Sequence, residues 1–93
     1  MDDKKIYREA LETFGHYNQV RKLFEEMAEL QTAICHTLDG KDDTSHVAEE
    51  IADVQIMLGQ MMELFACEYA VELRRRAKLS RLEGKIQKAR ADQ

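Results

Sequence analysis

Two stretches decide the fold: residues 20–34, VRKLFEEMAELQTAI, and residues 47–65, VAEEIADVQIMLGQMMELF. In the first, Val20, Leu23, Met27, Leu30 and Ile34 recur at steps of 3, 4, 3 and 4. In the second, Val47, Ile51, Val54, Leu58, Met61 and Phe65 recur at steps of 4, 3, 4, 3 and 4. That period belongs to helices with one apolar seam each. Between them lies Asp39-Gly40-Lys41-Asp42-Asp43. Gly40 suits a left-handed C-terminal cap, and one of Asp43, Thr44 or Ser45 suits the cap of the next helix. So short a connection predicts two long helices packed antiparallel as neighbours.

Working outward, Ile6, Tyr7, Ala10, Leu11 and Phe14 predict a shorter amphipathic helix over 4–14, broken at Gly15. Gly59 interrupts the second long helix at a cost of roughly 1 kcal/mol relative to Ala. The apolar phase is lost around Ala66 to Tyr69, which predicts a bend, and a last helix carries Leu73, Leu79, Leu82 and Ile86. Composition agrees, with no proline, four glycines and 34% charged residues, a usage that favours helix over strand. The fold expected is all-α: a helical bundle of two long antiparallel helices plus a shorter N-terminal and a C-terminal helix, forming one domain over residues 1–93. A chain of 93 residues builds only a marginal core of its own, so self-association into a homodimer or a larger homo-oligomer is expected.

Phe14, Tyr17, Phe24 and Phe65 are read as core residues in preference to a base-stacking slot. Cys35 and Cys67 form no CxxC pair and are read as reduced thiols on packed faces. No apolar run approaches the ~18 residues that span a membrane, and Met1-Asp2-Asp3-Lys4-Lys5 is followed by no apolar signal region. A cytoplasmic protein without membrane contact is the expectation.

Charge is unevenly placed. Residues 25–54 hold nine acidic groups against Lys41 alone, and residues 74–90 hold eight basic groups against Glu83 alone. The net charge of −4 argues against nucleic acid as a partner. An acidic middle and a basic end could bind a cation and an anion side by side, although solvated helix faces would look the same.

The two long helices also share a hexapeptide. Residues 25–30 read Glu-Glu-Met-Ala-Glu-Leu and residues 49–54 read Glu-Glu-Ile-Ala-Asp-Val. Residues three apart share a helix face, so Glu26 and Glu29 form one carboxylate pair and Glu50 and Asp53 another, each at the edge of the seam. Packed antiparallel, the pairs can converge, with Ala28 and Ala52 letting the backbones approach. Four carboxylates together repel unless neutralised, and Mg²⁺, with Mn²⁺ as the alternative, is the hard cation that such oxygens suit. Taken singly, each pair is an ordinary helix surface. Lys78, Arg81 and Lys85 fall at steps of 3 and 4, a cationic strip that could hold polyphosphate oxygens. Gln19, seven residues before Glu26, could bond a base or a phosphate, or face solvent. His36 lacks a second histidine and is read as surface, and His16 and His46 receive no role.

The duplicated motif, with twenty residues between Glu29 and Glu50, resembles the MazG-like family of all-α nucleoside triphosphate pyrophosphohydrolases, whose pattern is ExxE, a spacer of about this length, then ExxD. Lys78-Leu79-Ser80-Arg81-Leu82 is similar to short phage and bacterial members, and the resemblance covers about residues 14–88. It implies a dimeric or tetrameric helical bundle that hydrolyses a nucleoside triphosphate to the monophosphate and pyrophosphate with a metal-activated water, removing unwanted nucleotides. It implies Glu26, Glu29, Glu50 and Asp53 as Mg²⁺ ligands and catalytic residues, and Lys78 and Arg81 as phosphate contacts. The alternative is a non-catalytic helical oligomer or adaptor that keeps this fold. A di-iron carboxylate bundle is disfavoured because the Glu-x-x-His ligand pair is missing.

Overall fold

In the computed structural model, which describes residues 2–93, four helices follow one another: α1 Asp3–Phe14, α2 His16–Leu38, α3 Thr44–Leu64 and α4 Glu68–Ala91. No strand occurs among the described residues. Met1, part of the charged N-terminal stretch discussed above, lies outside them. Each boundary has a local cause. Asp2 caps α1, its carboxylate accepting from the Lys5 N–H at 3.2 Å. Gly15 separates α1 from α2 at φ +91°, and Gly40 follows α2 at φ +73°, both in the region that favours glycine. Asp43 caps α3 by accepting from the Ser45 and His46 N–H groups. The bend between α3 and α4 centres on Ala66 at φ +50°.

The main packing is α2 against α3. Gln19, near the start of α2, bonds Gln60, near the end of α3, while Glu26 and Glu29 meet Glu50, near the start of α3. The contacts thus descend one helix as they ascend the other. Leu23, Met57 and Met61 form the buried centre, with Val20 and Leu64 packed against it. Ala33 is fully buried. Ala28 and Ala52, expected to let the backbones approach, are exposed.

The seam differs in phase from the apolar pattern. On α2 the buried positions are Gln19, Leu23, Glu26 and Ala33, and on α3 they include Glu50, Met57, Gln60 and Met61. Glu26 and Glu50 therefore lie within the interface, not at its edge. Met27, Ile34, Ile51 and Leu58, expected to pack in it, are each about two-fifths exposed. Both helices are apolar on more than one side, and the intrachain contact covers only one of those sides. Phe14, Tyr17, Phe24 and Phe65 are also corrected: each is at least 60% exposed and none is core. Cys35 is exposed and Cys67 half-buried; both are free thiols.

α1 crosses α3. Leu11 is buried, Arg8 pairs with Glu63 at 3.4 Å, and the Tyr7 ring lies over Gly59. A Cβ added at Gly59 would collide with the Tyr7 ring, which explains a glycine in mid-helix. α4 is different. Its first turn is tied to α1 by Lys4–Glu68 at 2.7 Å and it adjoins α3, but it makes no close approach to α2 and none of its residues is buried. The radius of gyration, 16.8 Å, exceeds the ~12 Å of a compact domain of this length. Val71, Leu73, Leu79, Leu82 and Ile86 consequently lie 39–52% exposed along α4. No helix is long and apolar enough to cross a membrane among the described residues.

The Tyr7–Gly59 contact gives a double-mutant test. In a Tyr7→Ala background, Gly59→Ala should approach the ~1 kcal/mol gain expected of a helical Gly→Ala exchange. In the native background the displaced ring should cancel or reverse that gain. Urea unfolding of the four proteins measures the difference, and additivity within about 0.5 kcal/mol would show that the ring does not rest on Gly59.

Candidate metal centre

Helix geometry assembles the carboxylates. Glu26 and Glu29 share a face of α2 at i and i+3, and α3 presents Glu50 to that face. One oxygen from each of Glu26, Glu29 and Glu50 lies within 4.8 Å of the others. Glu26 and Glu50 are 9% and 8% exposed, and Glu29 is at the open side. Asp53, one turn beyond Glu50, is exposed and stands outside this trio, though its charge reaches Glu26.

Each buried acid is satisfied on one oxygen only. Glu26 Oε1 meets Lys22 Nζ at 3.5 Å and Glu50 Oε1 meets His46 Nε2 at 3.3 Å. The two Oε2 atoms are buried with no hydrogen-bond partner among the described residues. An unpaired buried carboxylate oxygen is costly, and here like charges crowd it. The Glu26 carboxyl is pushed up from the ordinary carboxylate range by its burial first, then by the Glu29 and Asp53 charges, against an opposing pull from Lys22. All-oxygen donors, converging acidic groups and unsatisfied lone pairs fit Mg²⁺ or Mn²⁺ and disfavour softer metals. Ala28, Glu29, Thr32, His46 and Glu50 line an open cleft of about 250 Å³ at this point.

The other residues singled out from sequence are placed as follows. Gln19 is buried, not solvent-facing: its Nε2 donates to Gln60 Oε1 at 2.7 Å, and Gln60 Nε2 approaches Met57 Sδ at 3.6 Å. Gln19 also lines a second cleft, about 410 Å³, with Phe14, Asn18, Lys22 and Glu25. Lys78, Arg81 and Lys85 do share one groove, on α4. Because α4 stays away from α2, the chain does not bring that strip to the carboxylates. His36 is exposed, as are Glu25 and Glu49.

Sequence reasoning missed His46 and Asp42. His46 Nδ1 pairs with Asp42 Oδ2 while its Nε2 faces Glu50. The Asp42 hydrogen bond, aided by the charges of Asp42, Glu50 and Glu49, holds the His46 imidazole above its ordinary range despite its partial desolvation. The i, i+4 spacing of His46 and Glu50 was the available signal, since it places both on one helix face.

No protein family, curated protein or solved structure matches this chain.

Glu26→Gln removes a buried charge from a like-charged cluster and keeps its shape. The metal-free variant should melt above wild type in EDTA, and adding millimolar Mg²⁺ should raise its melting temperature less than it raises that of wild type. A metal-free variant that melts lower would mean Glu26 is already satisfied within the fold.

Proposed function

We propose that this chain is a Mg²⁺-dependent nucleoside triphosphate pyrophosphohydrolase of the MazG-like kind, converting a (d)NTP and water to the monophosphate and pyrophosphate. The observation that carries the reading is the pair of buried, unpartnered oxygens of Glu26 and Glu50 beside Glu29, at a contact between α2 and α3. A fold has no stability reason to bury them so, whereas a divalent cation satisfies both.

Glu26, Glu29 and Glu50 hold the ion, with Asp53 beside them as the fourth acid of the duplicated motif. Mg²⁺ bound there supplies neutralising charge for phosphate oxygens and lowers the pKa of a coordinated water. A carboxylate of the set would accept the proton of the attacking water. The neighbouring cleft gives a nucleoside its place: Phe14 offers a face for stacking, Asn18 and Gln19 offer amides, and Lys22 offers a cation toward the phosphates. Lys78 and Arg81 contribute phosphate contacts only if α4 comes from another copy, because α4 within one chain stays clear of α2. A homodimer or homotetramer with α2 and α3 antiparallel in each copy is therefore part of the proposal, as is a cytoplasmic, nucleotide-cleansing role.

Pyrophosphate release from a panel of canonical and modified (d)NTPs tests the activity. At least one nucleotide should be turned over with Mg²⁺, EDTA should abolish turnover, and Glu50→Ala should lower kcat by more than about 100-fold, the upper range for losing only an outer partner of a metal ligand. A folded oligomer inert toward every nucleotide would instead support the non-catalytic adaptor. That reading is favoured by one observation, the long uncovered apolar stripe of α4, but it leaves the buried acids unexplained.

Light scattering tests the assembly. Fully burying one Leu or Ile stabilises by about 1.5–3 kcal/mol, so the open stripes should drive association. Wild type should be dimeric or larger, and Leu82→Glu with Ile86→Glu should reduce the mass and also lower kcat/KM. A monomeric wild-type protein with full activity would overturn this part.

A further inference from the structure

We propose that His46, itself held by Asp42, is a positioning residue that fixes the Glu50 carboxylate for ion binding; this rests on the metal-centre reading above. Asp42 lies in the α2–α3 connection just before the Asp43 cap, His46 lies in the first turn of α3 and Glu50 one turn further on the same face, so the ring stands between the two carboxylates. Both ring nitrogens are engaged: Nδ1 with Asp42 Oδ2 and Nε2 with Glu50 Oε1 at 3.3 Å. The main chain beneath the ring is held as well, since Asp43 accepts from the Ser45 N–H at 3.0 Å and the His46 N–H at 3.4 Å. The imidazole therefore cannot swing without giving up a partner at one end or the other. With Oε1 occupied by the ring, Oε2 is the Glu50 oxygen left buried and unpartnered. The His46 side chain remains 42% exposed and lines the cleft with Glu29 and Thr32. Its contacts thus serve an open site, not a packed interior. Outer partners of this kind orient metal ligands, and their loss typically weakens metal affinity by about 10–100-fold.

The test is Mn²⁺ affinity of the full chain, from the electron paramagnetic resonance signal of free Mn²⁺, with the metal-free melting temperature measured in parallel. His46→Ala should bind Mn²⁺ about 10–100-fold more weakly than wild type at a nearly unchanged metal-free melting temperature. His46→Gln, which keeps a donor within reach of Glu50, should recover part of the loss. Asp42→Asn should give a smaller loss and add nothing in the His46→Ala background, because Asp42 acts through the ring. A merely structural role would lower the melting temperature and leave the affinity of folded protein alone. If wild type binds Mn²⁺ and His46→Ala binds it equally well, the positioning role is overturned and the metal centre stands. Should His46→Ala fail to fold, Asp42→Asn with wild-type affinity overturns it equally. If wild type binds no Mn²⁺, both readings fall.

Discussion

The burial of two carboxylates in the contact between α2 and α3 constrains everything else. Glu26 and Glu50 occupy seam positions where an ordinary helical pair would place Leu or Ile. Glu29 and Asp53 add negative charge nearby, and only Lys22 and His46 answer it directly. Breaking even on such an arrangement requires good geometry and satisfied lone pairs, and one oxygen of each buried acid has neither partner nor solvent. The metal-free contact is therefore held by its apolar centre, Leu23, Met57 and Met61, and by the Gln19–Gln60 bond, in spite of the acids and not through them.

Surplus apolar surface is the second consequence. Giving seam positions to Glu and Gln displaces Met27, Ile34, Ile51 and Leu58 to a second face, where they stay partly open. α4 adds a further stripe and leaves the body of the molecule, which stretches to 53 Å along its longest axis. A polar seam and an unburied outer face are coupled: helices that place Glu and Gln in their closest contact leave more of their apolar surface outside it. The basic groove of α4 lies on the same helix as that stripe.

Much of this was legible in the residues. Gly15, Gly40 and Asp43 marked helix ends because glycine at positive φ and an aspartate cap are local effects. The carboxylate pairs were legible because i, i+3 spacing fixes a shared face whatever the tertiary structure. The phase of the seam was not. Apolar residues cover more than one side of α2 and α3, so periodicity identified the helices without identifying which side faces inward. The aromatic residues were misplaced for the same reason, since large apolar side chains were assumed to be buried within one chain. Gly59 had a visible cost but no visible cause until Tyr7, fifty-two positions earlier in the chain, was found lying on it. His46 was overlooked because a histidine was sought as a ligand itself and not as the neighbour of a buried carboxylate.

The proposal stands or falls on whether Glu26, Glu29 and Glu50 share one divalent ion between α2 and α3. Anomalous diffraction from a crystal grown with Mn²⁺ tests it most directly. One strong anomalous peak per chain is expected within coordination distance of all three carboxylates. A well-ordered crystal with Mn²⁺ bound elsewhere, or with no peak at these residues, would contradict it.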